Sequence, residues 1–152
     1  KRDGKMEPVE NITNFVDCAD DDAKGPRRGV FTPGEILKVF NANFLDYEFA
    51  RLWILKRLHP HGAHCPGCGA AVPAKKLRRF WANGRIRCGE CGKYYTALTG
   101  TFISGCQIDF RGLMLLSVLI ALGVHDGQIA AIVGMGHENV RLWRLRFEKV
   151  KQ

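Results

Sequence analysis

Cys65-Pro66-Gly67-Cys68 and Cys88-Gly89-Glu90-Cys91, nineteen residues apart, constrain this 152-residue chain more than any other feature. Two Cys-x-x-Cys pairs at this separation match the ligand set of a zinc ribbon, in which two tight loops each supply two thiolates to one tetrahedral Zn²⁺. Disulfide and redox chemistry also use paired cysteines. Here the glycines at 67, 69, 89 and 92 favour a metal, because they let each loop turn tightly enough to aim two sulfurs at one ion. The expected site is therefore Cys65, Cys68, Cys88 and Cys91 around one structural zinc. The histidines at 59, 61 and 64 lie close by in sequence, but four thiolates already complete the shell, so they read as loop residues. Cys18 and Cys106 are left over and read as a surface thiol and a small packed apolar residue.

Four of six cysteines in metal-type loops point to an intracellular metal protein rather than a secreted disulfide framework. Lys1 to Glu10 is polar with no apolar stretch after it, so no targeting signal is expected. The longest apolar run, Leu113 to Val124, is too short for a membrane span of about 20 residues and reads as a buried helix. No membrane partner is expected.

The formal charge of +8 is unevenly placed. Residues 1–64 hold 10 Lys/Arg against 10 Asp/Glu, and residues 65–152 hold 13 against 5. A tetrathiolate zinc centre lowers the total to about +6, which still favours a polyanionic partner, nucleic acid above all.

Taken in order, residues 1–31 read as a flexible polar and acidic arm, poor in apolar side chains. A helical segment follows over 32–60. Thr32, Pro33 and Glu35 form a capping box for a helix over Pro33–Asn41, and Asp46 caps a second helix reaching Leu58, with Phe49, Leu52 and Trp53 as its core positions. The ribbon occupies 61–105. Lys76–Trp81 and Arg85–Arg87 are predicted strands joined by a hairpin at Asn83-Gly84, with a third strand over Lys93–Ala97. Lys75, Lys76, Arg78, Arg79, Arg85, Arg87 and Lys93, interleaved with aromatics, are candidate phosphate contacts.

Residues 106–152 are predicted to form three helices: Phe110–Leu122 capped by Asp109, Gly127–Val133 capped by Asp126, and His137–Lys151. The last two are joined by Gly134-Met135-Gly136 in a helix-turn-helix. Val140, Trp143, Phe147 and Val150 face inward. His137, Arg141, Arg144 and Glu148 take another face, where Arg141 and Arg144 point outward to bases or phosphates, with Gln128 and Asn139 near the turn. The fold class expected is thus a small α+β protein: a four-cysteine ribbon of three short antiparallel strands between N-terminal helices and a C-terminal three-helix unit.

The order of these pieces resembles the N-terminal DNA-recognition half of zinc-ribbon insertion-sequence transposases. The residues that carry the resemblance are Cys65-Pro66-Gly67-Cys68-Gly69, Arg87-Cys88-Gly89-Glu90-Cys91-Gly92-Lys93-Tyr94-Tyr95, Thr99-Gly100-Thr101-Phe102, Asp126-Gly127-Gln128-Ile129-Ala130 and Val140-Arg141-Leu142-Trp143. It covers about residues 44–150, with one departure: Phe102 follows Thr101 without a spacer. In that family catalysis belongs to a separate RNase H-like domain whose acidic residues hold Mg²⁺. Asp109, Asp126, Glu138 and Glu148 do not replace it, so the resemblance implies DNA binding without transposition. The expectation is a non-enzymatic binder of double-stranded DNA, self-associating as a dimer. An RNA-binding or scaffold subunit, and a DNA-binding fragment of a longer transposase, are the alternatives.

Overall fold

The computed structural model describes residues 28–151, and the fold among them is mostly helical. In order it holds α1 (Pro33–Val39), a 3₁₀ turn (Ala42–Leu45), α2 (Tyr47–Leu58), α3 (Ala74–Trp81), β1 (Ile86–Arg87), β2 (Tyr94–Tyr95), α4 (Phe110–Ala121), α5 (Asp126–Val133) and α6 (His137–Val150). Most of the expected arm lies outside the described residues, as does Cys18. Its last four residues belong to the folded body: the Gly29 N–H donates to Leu58 O at 2.7 Å, and Phe31 is fully buried.

Polar caps fix the helix starts. Thr32 and Glu35 exchange hydrogen bonds with each other's backbone N–H at 3.3 and 2.8 Å, the reciprocal pair of a capping box. Asp46 accepts from the Phe49 N–H at 2.8 Å and Asp109 from the Gly112 N–H at 2.6 Å, so α2 and α4 begin where the sequence places them. The helix expected to reach Asn41 stops at Val39, because Asn41 instead caps the 3₁₀ turn through the Asn43 N–H.

Against α4 pack α1, α2 and α5, and α5 packs on α6. The buried positions of α2 are Ala50, Ile54, Leu55 and Leu58. Phe49 and Leu52, expected in the core, are 40% and 39% exposed, and Trp53 is half-buried. The four-residue spacing of 50, 54 and 58 selects the inward face, and Phe49 and Leu52 fall out of phase with it, while Trp53 packs against the core as expected. Phe49, Leu52 and Trp53 line an open groove with Val39, rimmed by Lys38, Lys56 and Arg57.

Phe31 joins the N-terminal segment to both ends of the fold. Its ring centroid lies 4.9 Å from that of Phe102 and 6.0 Å from those of Trp53 and Phe147. On α6, Val140, Trp143 and Phe147 are buried as expected and Val150 is half-buried.

The central segment departs most from expectation. Ala74–Trp81, expected as a strand from Lys76, is the helix α3, and the described residues hold two short strands rather than three. Ala-Lys-Lys-Leu-Arg-Arg-Phe-Trp has no β-branched residue and several strong helix formers. Asn83 and Gly84 terminate this helix instead of turning a hairpin. Asn83 is left-handed at φ 58°, its N–H donates to Phe80 O at 2.9 Å, and the Gly84 N–H donates to Arg79 O at 2.8 Å. That pair of bonds is a Schellman ending. The true hairpin pairs β1 with β2 antiparallel, Ile86 opposite Tyr95 and Arg87 opposite Tyr94, and the second cysteine loop is its turn.

Candidate metal centre and nucleic-acid interface

Each Cys-x-x-Cys loop is held by the same backbone pattern. In the first, the Cys65 N–H donates to Ala70 O at 2.8 Å and the Gly69 N–H to Cys65 O at 2.9 Å. In the second, the Cys88 N–H donates to Lys93 O at 2.9 Å and the Gly92 N–H to Cys88 O at 3.1 Å. Gly69 and Gly92 occupy equivalent left-handed positions at φ 78° and 74°, where a Cβ is disfavoured. An isolated bridge between His64 and Ala71 closes the base of the first loop, as β1 and β2 close the second.

The two loops face each other and bring the four sulfurs within 4.8 Å of one another. Across the loops, Cys65 Sγ lies 3.7 Å from Cys91 Sγ and Cys68 Sγ 3.6 Å from Cys88 Sγ. A tetrahedron with metal–sulfur bonds of about 2.3 Å has sulfur–sulfur edges of about 3.8 Å, so the four cysteines are positioned to hold one metal ion. The four thiols are not equivalent: the Cys91 N–H, aided by the Glu90 N–H and opposed by burial, holds the Cys88 thiol down to about 6, whereas burial pushes the Cys65 thiol up and the neighbouring sulfurs help to push that of Cys68 up to about 12.

None of the three neighbouring histidines joins this cluster. His59 is buried, and its Nε2 bonds Ala97 O at 2.6 Å, tying the entrance of the metal lobe to its exit. Burial pushes its pKa down to about 4 against the pull of the Ala97 carbonyl, so the ring is neutral and donates. Behind the first loop, Arg28 donates to His64 O at 3.2 Å and its positive charge acts on Cys65. His59 and Arg28 were missed as structural parts of the site. Their only sequence signal is position, at the end of α2 and just before the capping box.

The seven cations expected at the ribbon fall on α3, on β1 or just before it, and at the end of the second loop. Lys75, Arg78, Arg79, Arg85, Arg87 and Lys93 are exposed, while Lys76 is half-buried and donates to Arg87 O at 2.6 Å. The stem of Lys93 passes over the first loop, so close that a Cβ at Gly67 would lie 2.8 Å from its Cδ. Arg87 donates from Nε to Gly92 O at 3.3 Å. Among the described residues five ion pairs form, and none of these seven cations takes part.

Around the turn between α5 and α6 the picture differs. Gln128, His137 and Arg141 are exposed and Asn139 is half-buried. Arg141 pairs with Glu138 at 2.7 Å along the helix. Arg144, expected to point outward, is half-buried: its Nε bonds Asp126 and its Nη2 donates to Val124 O at 2.7 Å. Asp126 is free for this pairing because the cap of α5 is His125, whose Nδ1 accepts from the Gly127 N–H at 3.1 Å, and not Asp126 as the sequence suggested.

Comparison with known proteins returns one partial likeness. The chain is 37% identical over 57 residues to the DNA repair protein RecO of Geobacter metallireducens, a match covering 38% of this chain and 20% of that protein. The chain thus spans about a fifth of the length of the curated relative it matches. No family model and no solved structure matches. The resemblance to transposases therefore rests on the order of motifs alone. Among the described residues no helix is long and apolar enough to cross a membrane.

Proposed function

We propose that this protein is a non-enzymatic DNA-binding module whose metal centre is a structural zinc. Four sulfurs at tetrahedral spacing leave no position open for a substrate, and an all-thiolate set suits Zn²⁺. Zinc bound there would hold the two loops together and fix α3 and β1 as a rigid basic surface. The observation that carries the reading is the group of cations without carboxylate partners on that surface. A charge already paired to an acid gains less from a phosphate than a hydrated one that can exchange its counterions.

The likeness to a segment of a DNA repair protein agrees with this reading, as does the order of motifs shared with transposases. In it, Lys75, Arg78, Arg79, Arg85, Arg87 and Lys93 take phosphates, and the start of α6, with His137 and Arg141, enters the major groove. A dimer would present two such units to paired half-sites.

The test is the salt dependence of duplex binding. Reversing Lys75, Arg78 and Arg79 to glutamate should make log K against log salt shallower by about 2 to 3, because each lost phosphate contact removes close to one unit of slope. An unchanged slope would remove α3 from the contact surface. Running an RNA duplex beside the DNA separates the two partners, since equal affinity for both would point to an RNA or ribonucleoprotein clamp instead.

A further inference from the structure

β2 contributes two adjacent tyrosines with opposite fates. Successive side chains of a strand point to opposite faces, so Tyr95 is turned into the core at 5% exposure while Tyr94 stands outward at 59%. Tyr95 has a packing role. Tyr94 has no core to fill, and its exposed ring stands among the cations Arg85, Arg87 and Lys93.

Its neighbours give it a chemistry. Arg87 is opposite Tyr94 in the hairpin register, and Arg85, just before β1, also reaches the Tyr94 ring. The Arg85 guanidinium carbon lies 4.6 Å from the Tyr94 ring centroid and that of Arg87 5.8 Å away. Neither arginine has a carboxylate partner among the described residues. Cation–π contact explains why the three side chains gather, yet more than half of the tyrosine surface remains open.

Beside the hairpin lies a cleft of about 500 Å³ lined by Lys76, Arg87 and the second cysteine loop from Cys88 to Gly92. With metal bound, the tetrathiolate behind that cleft carries a net negative charge, and Glu90 adds another. The cleft floor therefore repels a phosphate. Arg87, which lines the same cleft, and Arg85, over the Tyr94 ring, attract one. A ligand that matches this layout has a flat neutral π-system to lay on Tyr94 and anionic groups spaced along a backbone for Arg85 and Arg87.

We propose that Tyr94, flanked by Arg85 and Arg87, is a stacking platform for an unpaired nucleobase of single-stranded DNA. A base inside an intact duplex has both faces covered by its neighbours and cannot reach the ring, whereas an unpaired base can. This rests on the DNA-binding reading and narrows it: the metal lobe grips a strand that has been opened.

The experiment measures fluorescence anisotropy of labelled dT20 and of a 20-base-pair duplex at low salt, with wild type, Tyr94→Phe and Tyr94→Leu, the zinc content of each confirming an intact lobe. Leucine keeps bulk but removes the π face. Tyr94→Leu is expected to weaken dT20 binding by about 5- to 100-fold, in line with the loss of one stacked base, and to leave duplex binding within about twofold. Tyr94→Phe is expected to keep dT20 affinity. If leucine leaves both affinities unchanged, or lowers both equally, the platform is overturned while DNA binding stands. Wild-type protein that binds the duplex but not dT20 overturns the platform alone, and protein that binds neither overturns the DNA reading itself. A wild-type control guards against a variant that fails to fold: ultraviolet crosslinking of an oligonucleotide carrying 5-iodouracil should attach at Tyr94, and attachment only elsewhere overturns the inference.

Discussion

The cations around the metal loops and Arg141 and Arg144 of α6 look alike in the sequence, but the fold uses them in opposite ways. Around the metal, lysines and arginines are left without carboxylates, and their stems or carbonyl contacts only hold them in place. On α6, Arg141 is paired with Glu138, and Arg144 is committed to Asp126 and the Val124 carbonyl. The first set is available to a polyanion. The second is partly used up in joining α6 to the start of α5. Counting positive residues would rank the two surfaces together. Counting those with an acid at hydrogen-bond distance separates them, because an internally paired arginine must break an existing bond to take a phosphate.

The comparison can be broken most severely at the metal. Cys65→Ser or Cys88→Ser should release the ion and disorder the lobe from the first loop to β2, while α4, α5 and α6, which rest on an apolar core, keep their helical signal. Metal content and circular dichroism check this, and one full equivalent of zinc retained by either variant would refute the four-cysteine assignment. Binding that depends on the unpaired cations should vanish with the lobe.

A smaller effect separates Arg141 from Arg144 on α6. Arg144→Ala should lower stability by about 1–2 kcal/mol, since it strips a charge-assisted bond from a half-buried Asp126 and another from a backbone carbonyl. Arg141→Ala should leave the melting temperature unchanged, because its pair with Glu138 is fully at the surface. If thermal melts reverse that order, the assignment of Arg144 as a brace is wrong.

The mildest test is of pH. The His59 pKa falls from 6.5 to about 4 on folding, so below pH 6.5 the unfolded chain binds more protons than the folded one. Stability from this residue is complete above pH 6.5 and is lost as pH falls towards 4. Urea melts across that window should show a shallower decline for His59→Gln than for wild type. Equal slopes would mean that the ring is not held neutral.

Much of the fold was legible because short-range chemistry wrote it. Thr32 with Glu35, Asp46 and Asp109 each satisfy the first free N–H groups of a helix, and such caps depend on three or four adjacent residues only. The metal ligands were legible for the same reason, since the loop spacing itself is the geometry. The failures came where a local signal had two uses. Asn83-Gly84 offers left-handed backbone, which a hairpin turn and a helix ending both require, and only the pairing of β1 with β2 decides between them. Asp126 is a good cap in isolation, but His125 one residue earlier does that work, and the aspartate instead meets an arginine eighteen positions away. Phe49 and Leu52 show that helical spacing identifies a stripe without saying which stripe faces inward. Arg144 and His59 owe their roles to partners distant in sequence, and no pattern along the chain announces such partners.

The hydrogen bond from His59 to Ala97 has one more implication. The chain leaves α2 at His59, travels around both cysteine loops, and at Ala97 returns within reach of the His59 side chain, whose Nε2 lies 2.6 Å from Ala97 O. The metal lobe is thus an excursion closed at its neck, and the cost of lengthening such a loop grows only with the logarithm of its length. What limits change between the two cysteine loops is packing rather than closure, because Phe80 and Ile86 there belong to the same buried core as α2 and α4. The lobe is thus held to the helical body twice, by the His59–Ala97 bond at its neck and by Phe80, whose ring lies 5.0 Å from that of His59.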